Sequence, residues 1–548
     1  MDENTDEERY KLLLKVESIA SIAADDVLEA IGLLIDLSED LKQIDGLDRA
    51  VKWIKEYQRK EISESDQVIL QYFLANSWAA RRHLKEFEWK TAQASSKEEK
   101  EGARGDKPSE GDPWAWEQPE RQEEILCLRR AINHPGFDQV DHFRRCQIYT
   151  NLANQLNTVG RPVEALEYWE RALSIYPTFG MALGNSGYAL HSYAYFLYDG
   201  GHQSVFALVA HKLLTSSLSK KAFYGSPGEA EAQRFFAGLK QDIESKIDVS
   251  KVAKSIKLDG HDMGRSEDER KYRRWCLDNR LFLNPLNDLG KYSIANQDIL
   301  LLPPYKTENG EPPTLISFYN QIKQEFTSAR LFLFEGTHSE EVHFADRGVA
   351  LYDTYDYSTY SVAIEKIKMA YRMAYSIFDK CAFFLNEYMA LGMAQSQVSF
   401  RKIWYTNSNK ERSKWQLREK LVNAQNTPFR GLFWMSKDLF EEEFVDVTEP
   451  DARALNEIRN HLEHKYLKIH ELKPPPPNAD SSNVNQFAYS IWRSDLETKT
   501  LRLLKLARAA LIYLSLGMTL EEYRREEKQE GKKVAQIRLG LIDDDSKR

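Results

Sequence analysis

The sequence predicts an all-α protein in two parts, an array of helical repeats followed by an antiparallel helical bundle. Apolar residues recur at helical spacing through most of the chain, and no sustained alternating run broken by turn signals announces a large sheet. One stretch, Gln147 to Pro177, reads as a complete helix-turn-helix unit of the length that builds repeat arrays. The third observation is size, since 548 residues exceed what one hydrophobic core usually supports. Hydrophobic residues make up 42% of the chain and charged residues 29%, enough material for buried cores and too apolar for a disordered chain. The formal net charge of -9 excludes coating of nucleic acid by bulk attraction, so any such contact must be focal.

Taken in order, residues 1–90 read as helical, with LDRAVKWIKEY around Ala50 as the second helix of a hairpin. The acidic N-terminal segment lacks the basic and then apolar pattern of a secretory signal, which points to a cytoplasmic address. Residues 91–119 carry TAQASSKEEKEGARGDKPSEGD, with few apolar groups to repay ordering, and are expected to form a mobile charged linker. Residues 120–260 hold the repeats. Tyr149, Leu152, Ala153 and Leu156 share one helix face, Gly160 marks the turn, Ala165, Trp169 and Ala172 form the second face, and Pro177 closes the unit. That order resembles the tetratricopeptide (TPR) pattern, with QEEILCLRRAINHPGF and GMALGNSGYALHSYAYFLY as degenerate neighbours. An irregular bundle using the same small-large packing remains the alternative.

Residues 261–312, with Trp275, Phe282 and Leu283, are expected to connect the halves, and 313–526 to form the bundle. Its segments are Thr314 to Phe334, the broadly apolar Tyr360 to Leu391, a helix from about Pro450, and Leu496 to Leu516. The strongly apolar Ala509 to Met518 is shorter than the roughly 20 residues of a membrane span. Residues 527–548 form a charged tail. Cys127, Cys146, Cys276 and Cys381 show neither a disulfide framework nor zinc spacing and are expected to be buried thiols.

The chemistry concentrates in EPDARALNEIRNHLEHKYLKIHEL, with Thr448 as N-cap and Pro450 in the first turn. Stepping about 100° per residue from Arg459, the residues Ala454, Leu455, Ile458, Leu462, Tyr466 and Ile469 form one apolar stripe. Asn460 and His464 fall together on another side, one turn apart, and Arg459 can curl toward them. A guanidinium grips phosphate oxygens through paired hydrogen bonds, and an imidazole exchanges protons near neutrality. On RNA the ribose 2′-OH can act as nucleophile, so Arg, Asn and His suffice for phosphodiester cleavage without metal or cofactor.

Arg459-Asn460-His461-Leu462-Glu463-His464 resembles the RNxxxH form of the RxxxxH motif of HEPN ribonucleases, here within residues 313–526. The resemblance implies a metal-independent endoribonuclease of the toxin or antiphage type that leaves a 2′,3′-cyclic phosphate, in a homodimer whose protomers share one cleft. Carried over, Arg459 would bind the scissile phosphate, Asn460 would orient it, and His464 would be the acid/base. The whole resembles a bacterial TPR-HEPN protein in which the array senses or docks a protein or peptide. A non-catalytic antitoxin or scaffold is the alternative, and a toxin controlled by covalent nucleotide transfer a third.

A bare RxxxxH arises about once by chance in a chain of this composition. RRAINH, Arg129 to His134, is such a copy, without the Asn and in a repeat-like helix. Asp379 and Lys380 could support the Arg459 cluster or merely form a salt-bridged helix edge. Arg401 to Lys420 carries seven basic and two acidic residues with interleaved Trp404, Tyr405 and Trp415. It makes Arg401, Lys402, Trp404, Lys410, Arg412 and Lys414 candidates for RNA binding, against a charged helix-loop with two core tryptophans. His461, on the margin of the stripe, and His470 are expected to be structural.

Overall fold

The structure is a computed structural model that describes residues 5–97, 111–225, 229–307, 311–353, 355–407, 415–441, 452–471, 488–527 and 539–547. Helices, counting 3-10 turns, hold 70% of the described residues, so the fold is all-α. The first part runs α1 (Asp6–Lys15), α2 (Val27–Asp40), α3 (Ile44–Tyr57), α4 (Glu64–Lys97), α5 (Pro119–Asn133), α6 (His142–Thr158), α7 (Pro162–Ile175), α8 (Gly180–Phe196), α9 (Gly200–Ser217), α10 (Glu229–Lys246), α11 (Val249–Ser255) and α12 (Glu267–Asp278). The pairs α2/α3, α4/α5, α6/α7 and α8/α9 pack as successive hairpins, and α5 also meets α6 as α7 meets α8. The α6/α7 unit follows the sequence pattern closely. Pro162 occupies the first turn of α7, where its missing N–H costs nothing, and Gly160 takes a φ of +90° in the turn before it.

The expected linker 91–119 is wrong at both ends. Residues 91–97 continue α4, a helix already nucleated upstream that needs only one further hydrogen bond per added residue. At the other end Trp116 is buried against Trp404 and Phe433. The middle of the linker, the proline-rich 473–477 run and most of the tail lie outside the described residues.

The second part contains α13 (Thr314–Thr337), α14 (Val362–Tyr388), α15 (Glu419–Asn423), α16 (Thr427–Phe440), α17 (Ala452–His464) and α18 (Arg493–Glu527). Two small sheets accompany them. Strand β1 (Tyr405–Asn407) pairs antiparallel with β2 (Gln416–Leu417), and β3 (Tyr466–His470) pairs in parallel with β4 (Ala488–Trp492), Tyr466 opposite Ala488 and His470 opposite Trp492. The centre is α18, packed against α13, α14 and α16. By length and composition α18 could cross a membrane, which corrects the shorter span read from the sequence; 94% of its most apolar window is buried inside the protein, so its apolar surface is spent on packing.

Buried arginines join the parts. Arg508 of α18 donates to the carbonyls of Phe282 and Asn284 at 2.6 and 2.9 Å, which ties the 261–312 connector to the bundle. Asp438 of α16 accepts two bonds from Arg129 at 2.6 and 2.8 Å and one from Arg161 at 2.5 Å. Burial alone would raise the Asp438 pKa, but the two guanidinium groups hold it at about 2. Arg129, the arginine of the second RxxxxH copy, is thus an interior tie between the parts, while His134 caps Gly136. The four cysteines are buried and free.

Candidate functional site

Helix α17 sinks one face and leaves the other open. Leu455, Ile458 and Leu462 are buried, and the Leu455 carbonyl accepts from the Tyr371 hydroxyl of α14 at 2.6 Å. Burial of each such side chain stabilises by about 1.5–3 kcal/mol, which fixes the helix's rotation. Arg372, also on α14, donates to the Leu462 carbonyl and pairs with Glu463 at 3.4 Å, tying down the C-terminal turn. His461 lies on the buried side, its Nδ1–H donating to the Glu457 carbonyl at 2.8 Å and its ring 5.4 Å from that of Tyr489.

The helix ends at His464, which corrects the longer helix expected from the sequence. Tyr466 and Ile469 belong instead to β3, where Leu467 and Ile469 point inward at the two-residue period of a strand. Both periods bury Ile469 and the β4 partner is distant in sequence, so the apolar pattern alone does not mark the change from helix to strand. Thr448 and Pro450, expected at the helix start, lie outside the described residues.

The rotation places the motif on the open side. Arg459 is half-buried, and Asn460 and His464 are exposed. The Arg459 guanidinium lies 5.6 Å from the centre of the Tyr375 ring and donates from Nη1 to Asn460 Oδ1 at 3.3 Å. Among the described residues no carboxylate forms an ion pair with it, so its charge is left to the ring face and a neutral amide. His464 closes the helix beside them, one turn beyond Asn460. Two clefts, one near Ser18 and Arg59 and one near His202 and Ser515, contain none of these residues.

Tyr375 was not singled out from the sequence, and it is the residue that collects the site. Burial raises its pKa well above the usual range; Arg459 and Arg401 oppose that shift and Asp379 adds to it, so all three charges bear on this phenol. The signal was present as Tyr371, Tyr375 and Asp379, spaced four apart on one face of α14. Asp379 does not pair with Arg459; its Oδ1 accepts the Phe400 N–H at 2.9 Å. Lys380 turns the other way and pairs with Glu325 of α13, which makes it the salt-bridged helix edge rather than a support for Arg459.

Among the expected RNA-binding residues, Arg401 and Lys402 are exposed. Trp404 is not a stacking platform: it is fully buried, and its indole N–H donates to the Phe400 carbonyl at 2.7 Å, which makes it a core residue. Trp415 is half-buried, with the Arg401 guanidinium 5.6 Å from its ring centre. Lys410, Arg412 and Lys414 lie outside the described residues. His470 is buried, with Nε2 lacking a hydrogen-bond partner among the described residues.

Comparison with known families matches residues 306–521 to the family described as LA2681-like HEPN. The match takes in α13 to most of α18, including Arg459, Asn460 and His464, so this part of the chain is similar to the HEPN superfamily. Neither the curated proteins nor the solved structures returned a match.

Proposed function

We propose that the chain is a metal-independent endoribonuclease in which Arg459 binds the scissile phosphate, Asn460 orients it and His464 moves the proton. The observation that carries this reading is the half-buried Arg459 without a carboxylate partner among the described residues, one helical face away from its own apolar stripe and beside Asn460. Holding a guanidinium unneutralised costs stability, and an anionic substrate is what recovers it. The ribose 2′-OH attacks the adjacent phosphorus, the 5′-oxygen leaves with a proton, and the products are a 2′,3′-cyclic phosphate and a 5′-OH. The 2′-OH gives its proton to a base and the departing 5′-oxygen takes one from an acid; His464 fills one of these roles with water in the other, and Arg459 stabilises the extra charge on the phosphorane oxygens.

His464 and Asn460 stand exposed in the single chain, so the reading includes a homodimer whose second motif closes the cleft. The helical hairpins of residues 5–260 act as a TPR-like sensor or docking array for a protein or peptide, and the setting is a cytoplasmic toxin or antiphage effector. Purified protein in EDTA should cleave total RNA, with Arg459→Ala and His464→Ala each reducing the rate by about a hundredfold or more. Equal cleavage by all three ends the catalytic assignment. The same exposure of His464 favours the second reading, a non-catalytic antitoxin or scaffold. In that case expression is tolerated equally by cells carrying the wild type and the His464→Ala variant.

A further inference from the structure

We propose that Arg401 is a second phosphate-binding group of the Arg459 site, held against Trp415 as Arg459 is held against Tyr375, so that the site grips one single-stranded RNA at two phosphates. The inference rests on the ribonuclease reading for the identity of the polymer, and on the following geometry for the site.

Each guanidinium lies 5.6 Å from an aromatic ring centre, Arg459 over Tyr375 and Arg401 over Trp415. Neither is ion-paired with a carboxylate among the described residues. Other arginines of the same region are neutralised: Arg330 by Asp298, Arg372 by Glu463 and Arg508 by Asp288. A ring face attracts a cation without cancelling its charge, and it leaves the edge N–H groups free for a planar, forked contact. A carboxylate in that position would compete with phosphate for the same donors.

Two observations put the pair on one side of the domain. Both guanidinium charges act on the Tyr375 hydroxyl. Asp379, one helical turn after Tyr375, accepts the Phe400 N–H at 2.9 Å and so fastens the backbone immediately before Arg401 to α14. Asp379 and the two rings are therefore positioning residues, and the two arginines are the groups that meet the ligand. This explains a focal polyanion site on a chain whose net charge is -9.

The test uses full-length protein and a fluorescein-labelled RNA hexamer with 2′-O-methyl riboses, which cannot be cleaved through the 2′ position. Anisotropy titrations across a salt series should show Arg401→Ala weakening binding about tenfold and lowering the log–log salt slope by about 0.7, the share of one phosphate on a single strand. Trp415→Leu should reproduce that loss and Trp415→Phe should restore affinity, a pattern that a merely structural tryptophan would not give. Lys254→Ala removes the same unit of charge from an exposed position on α11 and should leave affinity unchanged. Wild-type affinity and slope in Arg401→Ala, or an equal loss in Lys254→Ala, would overturn the proposal. A chain that binds the hexamer through Arg401 yet cleaves no RNA leaves this inference standing and removes the ribonuclease reading; a chain that cleaves RNA with Arg401→Ala binding as the wild type does the reverse.

Discussion

Arg459 and His470 show how differently a polar side chain can be treated within twelve residues of sequence. Arg459 keeps its charge at the edge of the domain, supported by a ring worth about 0.5–2 kcal/mol. His470 is buried, and desolvation is the largest cause of a pKa below its ordinary 6.5. The folded protein therefore holds His470 neutral while the unfolded chain takes up a proton first as pH falls. Its contribution to stability is intact above about pH 6.5 and is lost progressively below it. The melting temperature should fall between pH 7.5 and 5.5, and His470→Leu should shrink that fall; an unchanged pH response in the variant would assign the effect elsewhere.

Helices α16 and α17 are the elements on which the site depends. α17 presents the motif because three buried apolar residues set its rotation, and it packs against both α14 and α16. α16 approaches the α6–α7 turn so closely that a Cβ on Gly431 would overlap the Gly160 carbonyl, and one on Gly160 the Thr427 carbonyl. Two opposed effects meet in Gly431→Ala. Helix propensity favours alanine by about 1 kcal/mol. The overlap with backbone that has no flexible end to yield costs about 1–3 kcal/mol. A net loss of stability is expected in denaturant unfolding. A gain would mean that the two backbones can separate freely.

At the scale of the whole molecule, the helical hairpins and the bundle share one interior, and Asp438 is one of the charges that join them. It is buried between Arg129 and Arg161, so Asp438→Asn leaves two buried guanidinium groups short of their counter-charge and should cost about 3–5 kcal/mol. Because its folded pKa of about 2 lies below the ordinary 3.8, its stabilisation is fully present above about pH 4 and disappears as pH falls toward 2. Chemical unfolding of the wild type and of Asp438→Asn at pH 7 and pH 3 checks both points. The gap between them should narrow at the lower pH.

The all-α class, the hairpin at Gln147 to Pro177 and the bundle helices were legible from the sequence because each rests on local period and local caps. So was the separation of Asn460 and His464 from the apolar stripe, since positions around a helix follow from spacing alone. The linker was misjudged at both ends, because a polar stretch can prolong a helix that is already nucleated and because the partners of Trp116 lie far along the chain.

What the sequence by itself determined is therefore the inventory: which segments coil, which faces are apolar, and that Arg459, Asn460 and His464 share one helix. Tertiary structure alone decided that this helix stops at His464, that Trp404 is core, that Arg129 binds Asp438, and that Tyr375 lies beneath Arg459. The physical reason is range. Helix periodicity is written in neighbours three and four residues apart, whereas the pairing of β3 with β4 and the ring under a guanidinium join segments whose separation along the chain carries no periodic trace.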